Sequence, residues 1–159
     1  MPRKKTKSLQ RQLKPDRKYE SVLVQRLINK SMLDGKKQTA ERHVYSALEI
    51  AAKKLKVENP LEAFDAAFKN LIPTVEVKSR RVGGANYQIP FPIQGHRAQH
   101  FAFVWLVQAA RSRKGMPFDQ RLAAEIADAY NQAGSAFKKK EDTHKMAEAN
   151  RAFAHFARG

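Results

Sequence analysis

Hydrophobic residues recur at intervals of three and four over most of the chain, which is the spacing of an amphipathic α-helix. The pattern predicts a first helix over residues 17–32, capped by Asp16, and a second over residues 38–55. A third starts after Asn59, because Asn at the cap, Pro next and Glu two positions later form a typical helix start, and it ends before Pro73. The apolar faces consist of Val22, Leu23, Leu27, Ile28, Ala40, Val44, Ala47, Leu48, Ala51, Leu55, Leu61, Phe64, Phe68 and Leu71.

The helical spacing gives way to alternation in residues 74–90. Val75 and Val77 alternate with polar residues, and this period of two predicts a β-strand. Residues 83–86 predict a turn, since glycine reaches positive φ at no steric cost, and residues 87–89 predict a returning strand. The polar side of the first strand is expected to carry Glu76, Lys78 and Arg80.

Three more helices are predicted after this ribbon. Residues 97–113 include an almost wholly apolar run, typical of a central, buried helix. A fifth helix extends from Phe118 to Gly134, and a last one spans residues 135–156. The predicted fold class is mainly α: a six-helix single domain with a protruding two-stranded β-ribbon between helices three and four. The apolar positions of the fifth helix are Phe118, Leu122, Ile126 and Tyr130.

The composition indicates a folded, strongly cationic protein. The 159 residues are 42% hydrophobic, which allows a core, while 31 Lys and Arg against 15 Asp and Glu give a net charge of +16. The absence of cysteine excludes disulfides, thiol nucleophiles, iron–sulfur clusters and Cys-type zinc sites. The longest apolar run, residues 101–107, is far short of the roughly 20 residues of a membrane span. Such a charge points to a polyanionic partner, nucleic acid before membrane.

The positive charge is unevenly distributed along the chain. Residues 1–18 hold eight Lys or Arg and one acid, whereas residues 19–71 and 98–137 are nearly balanced. The balanced stretches indicate a packed body. We therefore predict a basic extended arm over residues 1–16 that orders on meeting phosphate, and a helical RNA-binding domain over residues 17–159. A solubilising tail without a fixed partner is the alternative for the arm.

No constellation of residues predicts catalysis. His96 and His100 have the spacing of a metal-binding pair on a helix, but no nearby Cys or acid completes a ligand set, so packing or an RNA-facing role is favoured. Metalloprotease, phosphate-loop and dinucleotide motifs are absent from the sequence. We predict no enzyme activity, no metal site and no cofactor.

Two segments predict contacts with RNA. The ribbon combines cations for phosphates, polar groups for 2′-hydroxyls and an aromatic ring for base stacking, although a solvated hairpin is the alternative. On the last helix, Lys140, His144, Arg151 and His155 are predicted to form a cationic stripe, with Met146 and Phe153 packing on the opposite side. The candidate residues of the ribbon are Lys78, Arg80, Arg81, Gly83, Gly84, Asn86 and Tyr87.

Two long motifs resemble the family of small-subunit ribosomal protein seven, bacterial or organellar type. They are V-E-V-K-S-R-R-V-G-G-A-N-Y-Q-I-P at residues 75–90 and K-K-K-E-D-T-H-K-M-A-E-A-N-R-A-F-A-H-F at residues 138–156. Shorter matches are D-G-K-K at 34–37, V-Y-S-A-L-E at 44–49 and W-L-V-Q-A-A-R at 105–111. The resemblance covers essentially the whole chain in order.

The resemblance implies a structural constituent of the ribosome that binds the 3′ major domain of 16S-type rRNA and nucleates assembly of the subunit head. It also implies a place at the subunit interface, with the ribbon near exit-site tRNA and mRNA, and small-subunit ribosomal proteins nine and eleven as neighbours. The expected location is the cytoplasmic ribosome, with an organellar ribosome as the alternative, and no membrane partner. The rRNA-binding residues carried over from the family are Arg3, Lys4, Lys5, Lys7, Arg11, Lys36, Lys37, Arg111, Arg113, Lys114, Lys138, Lys139, Lys140, His144, Lys145, Asn150 and Arg151.

Two other functions are compatible with a basic chain. A general nucleic-acid compaction protein would bind DNA and RNA of any sequence with similar affinity. An RNA-modifying enzyme would need an acid–base pair or a cofactor loop, and the sequence offers neither.

Overall fold

The computed structural model describes residues 12–158, except for the side chains of Val82, Ala157 and Arg158. Within this range the elements follow the predicted order of three helices, a ribbon and three helices, with an additional C-terminal 3₁₀-helix. Most of the basic arm predicted over residues 1–16 lies outside it. The elements are α1 (Val22–Ser31), α2 (Lys37–Leu55), α3 (Pro60–Leu71), β1 (Val75–Val82), β2 (Ala85–Pro92), α4 (Gly95–Ser112), α5 (Phe118–Tyr130), α6 (Gly134–Ala149) and the 3₁₀-helix (Arg151–Arg158).

The first helix starts later than the sequence pattern predicts. Asp16 is buried, and its carboxylate accepts hydrogen bonds from three backbone N–H groups of the following turn and from the hydroxyl of Tyr45. The residue therefore organises a turn, while Ser21 caps the helix by accepting a hydrogen bond from the N–H of Val24. As a consequence Val22 is exposed rather than part of the apolar face.

The second and third helices confirm the prediction. Ala40, Val44, Ala47, Leu48 and Ala51 are buried on one face of α2. At the start of α3 the cap forms as expected: the side-chain oxygen of Asn59 accepts from the N–H of Leu61 at 3.0 Å, and its amide donates to Glu62.

Helix α4 contacts α1, α3, α5 and α6. Ala102, Leu106 and Ala110 are almost completely buried, and the ring of Phe103 packs 4.4 Å from that of Phe68 on α3. The apolar run of residues 101–110 is therefore buried as predicted, but the most enclosed helix is α5, which packs between α2, α3, α4 and α6 and exposes fewer of its residues. On α5, Leu122 and Ile126 are buried as predicted, but Tyr130 is exposed.

The two strands of the ribbon pair antiparallel, with Val75 opposite Pro92 and Val82 opposite Ala85. Directly opposed residues share a face in such a pair. The ribbon packs against α6 and the 3₁₀-helix. One face turns toward these elements and is called the body-side face: Glu76, Lys78, Arg80, Tyr87, Ile89 and Phe91. The other face carries the half-buried Val75, Val77 and Pro90 near the base of the ribbon. Toward the turn it carries four exposed polar residues, which are called the outer face: Ser79, Arg81, Asn86 and Gln88.

The last helix is shorter than the predicted span of residues 135–156. It ends at Ala149, where the N–H of Asn150 makes the last helical bond, to the carbonyl of Met146 at 3.2 Å, and the side-chain amide of Asn150 donates to the same carbonyl at 2.8 Å. The chain continues as the 3₁₀-helix, whose tighter winding breaks the predicted angular alignment. The single cationic stripe of Lys140, His144, Arg151 and His155 is therefore wrong, and Met146 is exposed rather than packed.

Candidate nucleic-acid interface

Two turns that are distant in sequence bring exposed cations together. Lys36 lies in the turn between α1 and α2, and Arg111 lies at the end of α4, yet both line the same surface pocket. The guanidinium of Arg111 donates to the carbonyl of Ser31 at 3.3 Å, which connects the two turns. Lys37, which pairs with Glu41 at 3.9 Å, and Lys114 are exposed and follow these two residues closely in the sequence. The surface made by these four cations, the turn surface, can neutralise several phosphates at once.

Arg113 lies between two exposed cations but points into the protein. Its guanidinium donates to Glu125 at 2.8 Å and also binds Asp128, so it joins the end of α4 to α5. Burial alone would lower the pKa of Arg113, but its hydrogen bonds to the two carboxylates outweigh this effect and raise the pKa. This predicted rRNA contact is thus held by the protein itself. The sequence signal for this inward position is the pair of acids Glu125 and Asp128, which lie three positions apart on the next helix, α5.

The ribbon divides its candidate residues between its two faces. Arg81, Gly83, Gly84 and Asn86 are exposed on the outer face or in the turn. Their neighbours on the body-side face are engaged in the protein: Lys78 pairs with Glu76 at 2.9 Å, Arg80 donates to the carbonyl of Phe156 at 2.9 Å, and the ring of Tyr87 packs 5.1 Å from Phe153 and 5.5 Å from Phe156.

Sequence reasoning placed Glu76 on the polar side of the first strand but missed its role. It is 5% exposed and receives two hydrogen bonds from the Nε of Arg97, at 2.8 and 2.7 Å. Burial would raise the pKa of Glu76, but hydrogen bonds from Arg97 and Lys78 more than compensate, so the pKa is lowered. This ion pair fixes the base of the ribbon to the start of α4.

The candidate residues of α6 also separate into outward and inward groups. Lys138, Lys139 and Lys145 are exposed. In contrast, Lys140 donates to the carbonyl of Asn70 at 2.7 Å, and the Nε2 atom of His144 accepts a hydrogen bond from the N–H of Thr74 at 3.2 Å. Burial lowers the pKa of Lys140, and burial together with the charge of Lys140 lowers that of His144.

The remaining candidates lie at the two ends of the chain. Arg151 is exposed and pairs loosely with Glu148 at 3.4 Å, whereas Asn150 is half-buried at the helix end. The five cations predicted in the arm lie outside the described residues. They are Arg3, Lys4, Lys5, Lys7 and Arg11.

Comparison with known proteins decides the family. Residues 2–151 match the family described as ribosomal protein S7p/S5e. The chain belongs to this family. The small ribosomal subunit protein uS7 of Thermotoga petrophila is 56% identical over 146 residues, covering 92% of this chain and 94% of the relative. The proteins of the same name from Chloroflexus aggregans and Thermomicrobium roseum are each 54% identical, covering 93% and 98% of this chain and 94% and 99% of their own lengths.

As a member of the S7p/S5e family, the chain is a non-enzymatic, RNA-binding structural protein of the small ribosomal subunit that serves in translation. Its partners are small-subunit rRNA and ribosomal proteins. Among residues 12–158, no group of three or more His, Cys, Asp or Glu is placed to hold a metal ion. No helix in that part of the chain is long and apolar enough to cross a membrane.

Proposed function

We propose that this S7p/S5e protein is a primary binder of the 3′ major domain of 16S-type rRNA and nucleates assembly of the subunit head there. The observation that supports this most directly is the turn surface, where Lys36 and Arg111 line one pocket although they are far apart in the sequence. A rigid arrangement of cations fits one RNA junction better than others, whereas a flexible cationic chain does not discriminate.

The outward cations supply the affinity in this proposal, and the inward ones hold their positions. Arg113, Lys140 and His144 make their described contacts within the protein, so we assign them a positioning role. Neutralising phosphates releases counterions and makes the affinity dependent on salt. The contact residues proposed for the described region are Lys36, Lys37, Arg111, Lys114, Lys138, Lys139, Lys145 and Arg151.

The ribbon has a second task in the proposal. Its outer face, which carries Arg81 and Asn86, lies near exit-site tRNA and emerging mRNA at the subunit interface, beside small-subunit proteins nine and eleven. Supporting this, the body-side face is packed and the outer face is polar and exposed. The proposed location is the cytoplasmic ribosome of a bacterium, in keeping with the bacterial relatives, with an organellar ribosome as the alternative.

Equilibrium binding to two RNA fragments of equal length tests this function. We expect the full chain to prefer a transcribed 3′ major domain fragment over a 5′ domain fragment, and to keep the preference at about 0.15 M salt, where generic phosphate contacts weaken. Equal binding to both fragments that collapses as salt rises would instead identify a general nucleic-acid compaction protein. A duplex DNA of the same length is the matched polyanion control.

A further inference from the structure

The turn surface encloses a pocket of about 380 Å³, which we call the turn pocket. Its lining includes Lys36, Ala40, His43, Arg111, Phe118 and Arg121. This volume is near the lower end of the range for small-ligand sites in proteins. The pocket is therefore large enough for one planar group and its substituent.

Aromatic and guanidinium groups line the inner part of the turn pocket. The rings of His43 and Phe118 lie 6.1 Å apart at an interplanar angle of 89°, and the guanidinium of Arg121 lies 5.9 Å from the centre of the Phe118 ring. Arg121 is held there by donating to the carbonyls of Arg111 at 3.1 Å and Arg113 at 2.8 Å. The guanidinium of Arg121 is thus held in place by the protein itself. Aromatic rings and guanidinium planes are the groups on which unstacked RNA bases stack.

Buried polar atoms with no partner also border the turn pocket. Ser31, which is 8% exposed, and Arg121 both line it, and neither the hydroxyl of Ser31 nor the Nε of Arg121 has a hydrogen-bond partner among residues 12–158. A buried polar atom without a partner costs free energy. Both atoms have almost no accessible surface, so a ligand reaches them only if the side chains turn toward the pocket, where the Nε of Arg121 could donate and the Ser31 hydroxyl could donate or accept.

The charge of the rim selects an anion. Lys36, Arg111 and Arg121 line the pocket with positive charge, against a single acid, the exposed Asp34. A carboxylate from an acidic peptide would satisfy these cations but leave His43 and Phe118 without a planar partner. A nucleotide uses both parts of the pocket, because it carries a phosphate and a flat base.

We infer that the turn pocket holds one unstacked nucleotide of the bound RNA, with its base beside His43 and Phe118 and its phosphate at Lys36 and Arg111. The inference rests on the proposed function and deepens it, since it names a feature of the RNA that the protein recognises. The RNA must then present a base that is not paired within a helix, as single-stranded loops and bulges do.

The first test titrates the unmodified full chain with adenosine or uridine 5′-monophosphate, followed by NMR at the amides of Ser31, Thr39 and Ala40 and the His43 ring. We expect saturable shifts at these positions, and much weaker ones with inorganic phosphate or with the nucleoside alone. Shifts of equal size with inorganic phosphate would show that the pocket binds only the phosphate group, and this would overturn the proposed contact with the base. Absent shifts, or stronger binding of an acidic peptide that competes with the nucleotide, would also overturn it.

The second test fills the pocket. Thr39 lines it and Gln38, its exposed neighbour on α2, does not, so Thr39→Trp and Gln38→Trp form a matched pair. We expect Thr39→Trp to weaken binding of the 3′ major domain fragment roughly tenfold, the size of one lost base-stacking contact, and Gln38→Trp to bind like the unmodified chain. Circular dichroism of both variants is the control that checks whether their helices are intact.

The outcomes separate the inference from the proposed function. If Thr39→Trp binds the 3′ major domain fragment like the unmodified chain, the turn pocket is not a nucleotide site, while the proposed function stands. If the unmodified chain shows no preference for that fragment, the proposed function fails. In that case, and also if Thr39→Trp does not fold, the nucleotide titration still decides whether the pocket takes a base.

Discussion

Arg113 and Lys114 are adjacent in the sequence and carry the same charge, but they belong to different regions of the molecule. Arg113 lies in the junction of α4, α5 and α6, where its guanidinium contacts Glu125 and Asp128. Lys114 lies on the turn surface and is exposed. The first residue neutralises carboxylates of its own chain, and the second is available for phosphates of a partner. Net charge therefore overstates the RNA-binding capacity of this protein, and the position of the nearest carboxylate decides which cations contribute.

The junction depends on one buried carboxylate. Glu125 is completely buried, accepts from Arg113 and receives the N–H of Ala136 at 2.7 Å, so that a single side chain connects three helices. A buried charge with satisfied partners is tolerated, but the same charge with a partner removed is expensive. By contrast, the cations of the turn surface are exposed, and ion pairs made by exposed charges, such as that of Lys37 with Glu41 at 3.9 Å, contribute little to stability.

Arg113→Met should produce the largest effect by removing the partner of Glu125. We expect the free energy of unfolding to fall by about 3 kcal/mol, because a buried carboxylate is left without its cation. Urea denaturation followed by circular dichroism measures the change. RNA affinity per folded molecule should stay the same.

Lys114→Met is the matched control. Its stability should remain within about 0.5 kcal/mol of the unmodified chain, as for other exposed substitutions, whereas its affinity for RNA should fall and its salt dependence should become weaker. Equal loss of stability in the two variants, or a loss of RNA affinity confined to Arg113→Met, would contradict the division between the two regions.

Gly134→Ala tests how closely α6 approaches the same junction. Gly134 has φ +87°, and a Cβ atom there would lie 2.9 Å from both the Cβ of Asp128 and a carboxylate oxygen of Glu125. We expect a loss of about 2–3 kcal/mol in the free energy of unfolding, part from the left-handed backbone and part from the displaced carboxylate.

Gly115→Ala separates these two contributions. Gly115 has φ +82°, but apart from its two chain neighbours no atom of the described residues lies within 4 Å of the position of its Cβ. Only the backbone cost of about 1 kcal/mol should remain, measured by the same urea denaturation. If the free energy of unfolding falls equally in both alanine variants, the contact of the Gly134→Ala side chain with Glu125 does not contribute to the loss.

The sequence predicted the elements well where local spacing alone determines them. The apolar face of α2 and the capped start of α3 were correct, since periodicity and capping act within a few residues of the chain. The family resemblance, based on the motifs of the ribbon and the last helix, was confirmed by the match over residues 2–151.

The sequence did not predict which polar residues turn inward. Glu76 faces Arg97, Lys140 faces the carbonyl of Asn70, and Arg113 faces Glu125. Each partner comes from another element, so its position depends on how the helices pack and not on the spacing around the residue itself. The end of α6 at Asn150 was missed for a different reason: the chain has neither Gly nor Pro there, and Asn, whose side-chain amide here binds the carbonyl of Met146, is a weaker stop signal.

The smallest expected effect is a dependence of stability on pH at the contact between α6 and the segment before β1. The Nε2 atom of His144 accepts the N–H of Thr74, which a protonated imidazole cannot do, and burial with the nearby Lys140 holds the pKa of His144 below its ordinary value of 6.5. The unfolded chain therefore binds this proton more readily than the folded one. Stability should be constant above pH 7.5 and fall as the pH drops through 6.5 toward the folded pKa, with a total loss below about 1 kcal/mol, the size of one hydrogen bond.

Urea denaturation at pH 7.5, 6.5 and 5.5 measures this loss, and His144→Gln is the control because its side-chain oxygen can accept from Thr74 without titrating. Glu76 does not interfere, since its lowered pKa places its titration below 4.5. The decrease between pH 7.5 and 5.5 should be smaller in His144→Gln than in the unmodified chain. If the free energy of unfolding decreases equally in both proteins, the pH dependence comes from other histidines. The hydrogen bond between His144 and Thr74 would then make no measurable contribution to stability.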